Sequence, residues 1–267
     1  MVWSCPKCER ELRLAENTWM CDNGHAYDRA KEGYVNLLPS GKKLAGTVGD
    51  SRAMLQARRE FFAAGHYAPL LERLAGLVAG LNPRTVADIG CGEGYYLDGI
   101  AQAVSDATCL GTDIARDAVR LAAKAYPQAL FAAADTYGRL PFHEHQVDVL
   151  INVFAPRNPA EFSRVTDPSG TLIVVIPAPE HLAELRAREG LIGLQPDKLQ
   201  AVVTGLERYF KLRTVENLGY PLDLTAAAVA SLISMTPNAR FQAAGEPTYE
   251  PIGTQAAFDL LVFDRLA

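Results

Sequence analysis

Residues 85–94 read TVADIGCGEG, and the bend inside this stretch decides the fold. Val86 to Ile89 form an apolar run broken only by Asp88, glycines follow at positions 90, 92 and 94, and YYLDGIAQAV (95–104) then carries apolar residues at helical spacing. A strand that leads through a glycine turn into a helix is the opening unit of a doubly wound α/β sheet, which binds its ligands beyond the carboxyl ends of its strands. Glycine lets the backbone bend sharply and come close to what it holds. The ligand follows from charge. A dinucleotide turn has the spacing G-x-G-x-x-G and offers a helix N-terminus to a pyrophosphate, whereas this turn is G-x-G-x-G, with Asp88 before it and Glu93 within it. Two carboxylates repel a pyrophosphate and attract the cationic amino group of S-adenosylmethionine. Asp88, Gly90, Gly92 and Gly94 are therefore expected to hold that methyl donor.

The alternation continues downstream. ATCLGTDI (107–114), ALFAAAD (129–135), VDVLINVF (147–154) and GTLIVVIPAP (170–179) read as further strands, with ARDAVRLAAKAY (115–126) and PAEFSRVT (159–166) as helices between them. Apolar runs of this kind suit a parallel sheet covered on both faces. DKLQAVVTGLERYF (197–210) and TAAAVASLISM (225–235) read as helices, and KLRTVENLGY (211–220) and AAFDLLVFDR (256–265) as strands. The expected class is a Rossmann-like, class I S-adenosylmethionine-dependent methyltransferase domain. Asp113 ends its second strand, where a carboxylate can accept both ribose hydroxyls. Asp135 ends the third, within reach of an adenine amino group. The competing reading of each is a turn or helix-cap aspartate.

Upstream lies a different kind of segment. Cys5-x2-Cys8 is followed after twelve residues by Cys21-x3-His25, three thiols and an imidazole in two close pairs. The spacing suits a closed, structural zinc site whose metal holds the fold of a piece too short for a core of its own. The expected organisation is a zinc-binding domain over residues 1–36, a linker and helical connection over 37–70, and the methyltransferase domain over 71–267.

The chain has 267 residues, 49% of them hydrophobic and 21% charged, with a net charge of −5. No apolar run is long enough to suggest a membrane span, and no apolar segment of the signal-peptide kind opens the chain. A cytoplasmic location is expected, where clustered thiols stay reduced and bind metal. The acidic total counts against nucleic acid, but Arg29, Lys31, Lys42, Lys43, Arg52, Arg58 and Arg59 make a local positive stretch against Glu32 and Asp50.

Together, CPKC…CDNGHAYDRAKEGYVNLL, GDSRAMLQARREFFAAGHYAPL, DIGCGEGYYL, VFAP and PAPEHLAEL resemble the RlmA family of 23S ribosomal RNA guanine-N1 methyltransferases, from Cys5 to about Leu185. The resemblance implies methyl transfer from S-adenosylmethionine to N1 of a guanine in the hairpin 35 loop of 23S rRNA. It implies zinc on Cys5, Cys8, Cys21 and His25, and cofactor contacts from Tyr67, Gly94, Tyr95 and His181. It also allows a homodimer. One departure is the family's Gly-Gly turn before the fifth strand, which here is DPSGTL with Ser169 first. Asn152 and Phe154, in the turn after the fourth strand, are expected to orient the guanine by hydrogen bonding and stacking; strand-end packing is the other reading of both. His66 is a weaker candidate for the proton acceptor. Competing functions are a methyltransferase of a small metabolite and a non-catalytic zinc-containing binding protein.

Overall fold

The computed structural model describes residues 2–39, 51–191, 193, 195, 197–236 and 248–266. The expected strands form in order: β6 (Thr85–Ile89), β7 (Thr108–Asp113), β8 (Leu130–Ala133), β9 (Val147–Val153) and β10 (Thr166–Pro177). All pair in parallel, β8-β7-β6-β9-β10 across the sheet. Between them run α3 (Tyr95–Ala103), α4 (Arg116–Ala125) and α5 (Pro159–Val165). The last two strands depart from the parallel pattern. β12 (Ile252–Arg265) inserts antiparallel between β10 and β11 (Phe210–Leu224), which makes that end of the sheet a long antiparallel ribbon.

Because side chains alternate across a strand, the sheet feeds two cores. Val86, Ile151, Ile173 and Val175 pack on one face with Leu70, Leu97, Val229 and Phe258. Ala87, Ile89, Leu150, Val174 and Ile176 pack on the other with Phe142, Phe162 and Phe210. Asp88 shares the parity of Val86 and so points to the first face. Two helices ahead of the sheet, α1 (Arg52–Ala63) and α2 (Ala68–Gly80), cover that face, α1 against α8 (Ala226–Ser234) and α2 against α3. The Ser51 hydroxyl starts α1 by accepting from the Met54 N–H at 3.3 Å.

The first segment forms a small antiparallel sheet of β1 (Trp3–Ser4), β2 (Glu11–Ala15), β3 (Thr18–Met20) and β4 (Ala26–Asp28). It rests on the second face of the large sheet. Trp3, 1% exposed, lies 5.5 Å from the Phe142 ring, and the Ser4 N–H donates to the Pro141 carbonyl at 2.9 Å. β5 (Val35–Asn36) then joins the large sheet as a parallel edge strand beside β8. The first 36 residues thus include one strand of the larger sheet, and α2 runs across position 70. Residues 40–50 of the expected linker, with Lys42, Lys43 and Asp50 of the positive stretch, lie outside the described residues.

The Ser169 departure is accommodated by a register shift between Thr166 and Thr171. Ser169 is exposed, and its N–H and hydroxyl both bond the Asp167 carboxylate at 2.8 and 2.6 Å. Gly170 is the constrained position: a Cβ there would lie 2.6 Å from Thr166 Cγ2 and 2.9 and 3.0 Å from backbone oxygens. Among the described residues no helix is long and apolar enough to cross a membrane.

Candidate active site and metal centre

At the carboxyl ends of β6, β7, β9 and β10 a cavity of about 740 Å³ opens, within the range of small-molecule sites. Asp88, Gly90, Gly92, Glu93, Tyr95, Asp113, Asp135, Phe154, Tyr67 and His181 line it, the residues the sequence assigns to cofactor and base. Gly90 has φ +84°, and a Cβ on it would sit 2.4 Å from the Ala155 methyl. The bend is therefore closed to any other residue. Its two amides, Gly90 and Cys91 N–H, both donate to the Thr112 carbonyl at 2.8 and 3.0 Å.

Asp88 is 1% exposed, and its Oδ1 has no hydrogen-bond partner among the described residues. Burial, then the charge of Asp113, pushes its carboxyl up to about 8. A buried acid in this position is completed by a cation that brings its own hydrogen-bond donors. The amino group of S-adenosylmethionine is such a cation, so the donor set fits that cofactor. Asp113 fastens the turn, Oδ2 accepting from Gly92 N–H at 3.0 Å and Oδ1 from Ala115 N–H at 2.8 Å, and it also lines the cavity. Asp135 likewise caps its own turn through Tyr137 N–H at 3.0 Å while facing the cavity.

Two of the expected residues lie off the cavity wall. Gly94 does not line the cavity; it is the left-handed N-cap of α3 at φ +86°, and a Cβ there would meet Tyr126, Ala122 and Phe131 at 3.0–3.2 Å. Its part is to steer the chain into the helix. Asn152 is fully buried and off the cavity wall, its amide donating to the Ile89 and Pro156 carbonyls at 3.0 Å each. It braces the turn, and no donor is left for a base. Phe154 does face the cavity, 43% exposed, at a strained φ of +52°. Its ring meets Tyr96 and Phe258 at 6.4 and 5.6 Å.

His181 and Tyr67 form one unit. His181 Nδ1 accepts from the Ala257 N–H at 3.1 Å, so the ring proton sits on Nε2 and is donated to the Tyr67 hydroxyl at 3.1 Å. Burial, then the charge of Arg186, holds the imidazole down at about 3. With its lone pair committed and its pKa low, His181 is no proton acceptor. His66 lies off the cavity, its ring 4.6 Å from Phe61.

The sequence reading missed several wall residues. Met54, Arg58 and Phe62 line the cavity from one face of α1; their spacing of four was legible. Arg58 Nη1 lies 3.8 Å from Glu93 Oε2, and Phe62 stacks on Tyr95 at 4.2 Å. Arg186, Lys198 and Met235 come from the C-terminal part, where no local pattern announces them.

At the other site, one donor atom each from Cys5, Cys8, Cys21 and His25 lie within 4.8 Å of one another. Cys5–His25, Cys8–Cys21 and Cys21–His25 are 3.4, 3.6 and 3.5 Å apart. Ligands 2.0–2.3 Å from a tetrahedral zinc ion lie about 3.3–3.8 Å from each other, so the residues fit the metal. Burial pushes the Cys5 thiol up, but hydrogen bonds from the Tyr27 hydroxyl and the Lys7 and Cys8 amides outweigh it and hold it at about 6, toward the thiolate a metal needs.

Residues 3–45 match the RlmA N-terminal zinc-ribbon family, and residues 86–170 a methyltransferase-domain family. The chain is 40% identical over 242 residues to a 23S rRNA (guanine(748)-N(1))-methyltransferase of Streptomyces fradiae, covering 89% of this chain and 85% of that one. It is 39% identical over 282 residues to a candidate 23S rRNA (guanine-N(1)-)-methyltransferase of Micromonospora griseorubida, covering 96% and 95%. Among solved structures, a chain from the complex between the Haloferax volcanii Trm112 methyltransferase activator and a methyltransferase superposes with a TM-score of 0.53 at 15% identity, over 82% of this chain and all of that one, a likeness of fold. The glycine-turn cavity, its buried acids and the Cys3His cluster define an S-adenosylmethionine-dependent methyltransferase with a structural zinc ribbon. The chain belongs to the RlmA family of 23S rRNA guanine-N1 methyltransferases.

Proposed function

We propose that this protein transfers a methyl group from S-adenosylmethionine to N1 of a guanine in 23S rRNA, in the hairpin 35 loop that the family resemblance implies. The observation that carries the reading is 39–40% identity, across nearly the whole chain, to relatives named for that reaction. Asp88 takes the donor's amino group, Asp113 its ribose hydroxyls and Asp135 the adenine side. Gly90 and Gly92 let the chain lie close against it, and Tyr95, Tyr67 and His181 wall the cavity. When bound, the donor supplies an electrophilic methyl on a sulfonium, which needs no metal at the reacting atoms. Catalysis by the chain then consists of positioning and exclusion of water.

Phe154 offers the splayed guanine a stacking face at the cavity mouth. Guanine N1 must lose its proton as it is methylated. Because His181 is committed to Ala257 and Tyr67, that proton leaves by another route, through a group at the acceptor end or through water. The zinc ribbon and the positive stretch after it help hold the RNA stem. A homodimer that cradles the hairpin is compatible with this arrangement. Mass spectrometry of 23S rRNA fragments from cells lacking the protein tests the reading: one guanine is expected to lose its methyl group. Unchanged 23S rRNA, with purified enzyme that methylates a small metabolite, overturns it.

A further inference from the structure

We infer that Arg157 and Lys198 form an anion subsite beside the methyl-transfer cavity, one that takes a phosphodiester of the RNA next to the target guanine. The inference rests on the function proposed above. Arg157 and Lys198 line a hollow of about 220 Å³ with Pro159, Val202 and Leu206, and Lys198 also lines the large cavity. The two spaces therefore share a wall. Neither cation has a carboxylate to answer it among the described residues. Arg157 Nη1 donates to the Ala155 carbonyl at 3.3 Å and lies 3.5 Å from the Asn152 amide oxygen, both neutral.

The electrostatics agree with this geometry. Burial and then the Arg157 charge hold the Lys198 ammonium below its ordinary value, and burial does the same to Arg157. Two half-buried like charges with no acid between them raise the free energy of the site until an anion enters. Lys198 is the first residue of α7 (Lys198–Leu206), whose N-cap residue Asp197 makes no side-chain cap. The class of anion follows from position. Arg157 stands three residues past Phe154, on the turn that carries the stacking ring. A charge held there belongs to the strand whose base is stacked, and a backbone phosphate has the charge and oxygens to bridge a guanidinium and an ammonium.

The experiment uses the full-length enzyme and an oligoribonucleotide copy of the 23S hairpin carrying the target guanine. RNA affinity is measured against KCl concentration for the wild type, Lys198→Ala and Lys198→Arg, with donor affinity measured by calorimetry in parallel. Lys198 is the position to change because Arg157 also braces its turn. Lys198→Ala is expected to bind RNA roughly fivefold more weakly, with a log–log salt slope smaller by about one, and Lys198→Arg to restore both. Donor affinity is expected to stay unchanged. An RNA with a methylphosphonate at the flanking linkage should reduce the wild type to the level of Lys198→Ala and cost Lys198→Ala nothing more. An unchanged slope in Lys198→Ala, while the wild type still binds and methylates the hairpin, overturns the subsite and leaves the proposed function standing. Loss of donor affinity also overturns it, and assigns Lys198 to the donor's carboxylate instead. A wild type that does not methylate the hairpin at all brings down the function and the subsite together.

Discussion

Asp88 stands at the end of β6 with one oxygen unanswered, and in the cofactor role proposed for it its protonation state would link donor binding to pH. Its carboxyl, pushed up to about 8, is protonated near neutrality. Pairing with the donor's ammonium favours the ionised form, so binding releases a proton. Donor affinity should therefore rise from pH 6 to about 8, until the donor's own amino group begins to deprotonate. Calorimetry in buffers of different ionisation enthalpy should report release of close to one proton at pH 7. Asp88→Asn should abolish that release, flatten the pH dependence and weaken binding by roughly 10–100-fold, the range of a charge-assisted hydrogen bond. Phe154 makes the complementary test at the acceptor side. Base–aromatic stacking contributes about 1–3 kcal/mol, so Phe154→Ala should lower kcat/KM on RNA roughly 5–150-fold while donor Kd stays within twofold. Asn152 shows why residue type alone misleads: a polar residue at a strand end suggests recognition, but this one is spent on the Ile89 and Pro156 carbonyls.

Elements are set by where backbone must come close to backbone. The β6–α3 bend requires glycine at position 90, because a side chain would overlap Ala155, and the start of β10 requires it at 170 for the same kind of reason. The neighbouring Ser169 is free of that demand. Ser169→Gly should change stability by less than about 0.5 kcal/mol, whereas Gly170→Ala should cost about 1–3 kcal/mol through overpacking, a contrast that paired denaturant melts measure. The face of α1 shows the reverse situation. Met54, Arg58 and Phe62 follow helical spacing and can be placed together on paper, but that the stripe faces a cavity rather than a core is decided by α8 and the glycine turn packing against it.

In the whole molecule, the zinc ribbon is seated on the large sheet through Trp3 and Phe142 and is followed directly by an edge strand of that sheet. The catalytic bend belongs to strands at the sheet centre, two places in from β8. Loss of metal should thus unravel the ribbon and leave the bend intact. Cys8→Ser, or removal of zinc by a chelator, is expected to weaken RNA binding at least tenfold with donor Kd changed less than twofold; equal losses of both in a folded variant would show the two parts to be one cooperative unit.

The sequence by itself determined the strand–turn–helix order, the glycine bend, the acids at the ends of β6, β7 and β8, and the four metal ligands. Each of these is written in residues close together in the chain, where spacing alone fixes geometry. Only the tertiary structure decided that β12 runs antiparallel between β10 and β11, that Asn152 is a brace and Gly94 a helix cap, and that Lys198 comes to stand beside Arg157. Those outcomes depend on which distant segments pack together and which buried polar groups they leave each other to satisfy.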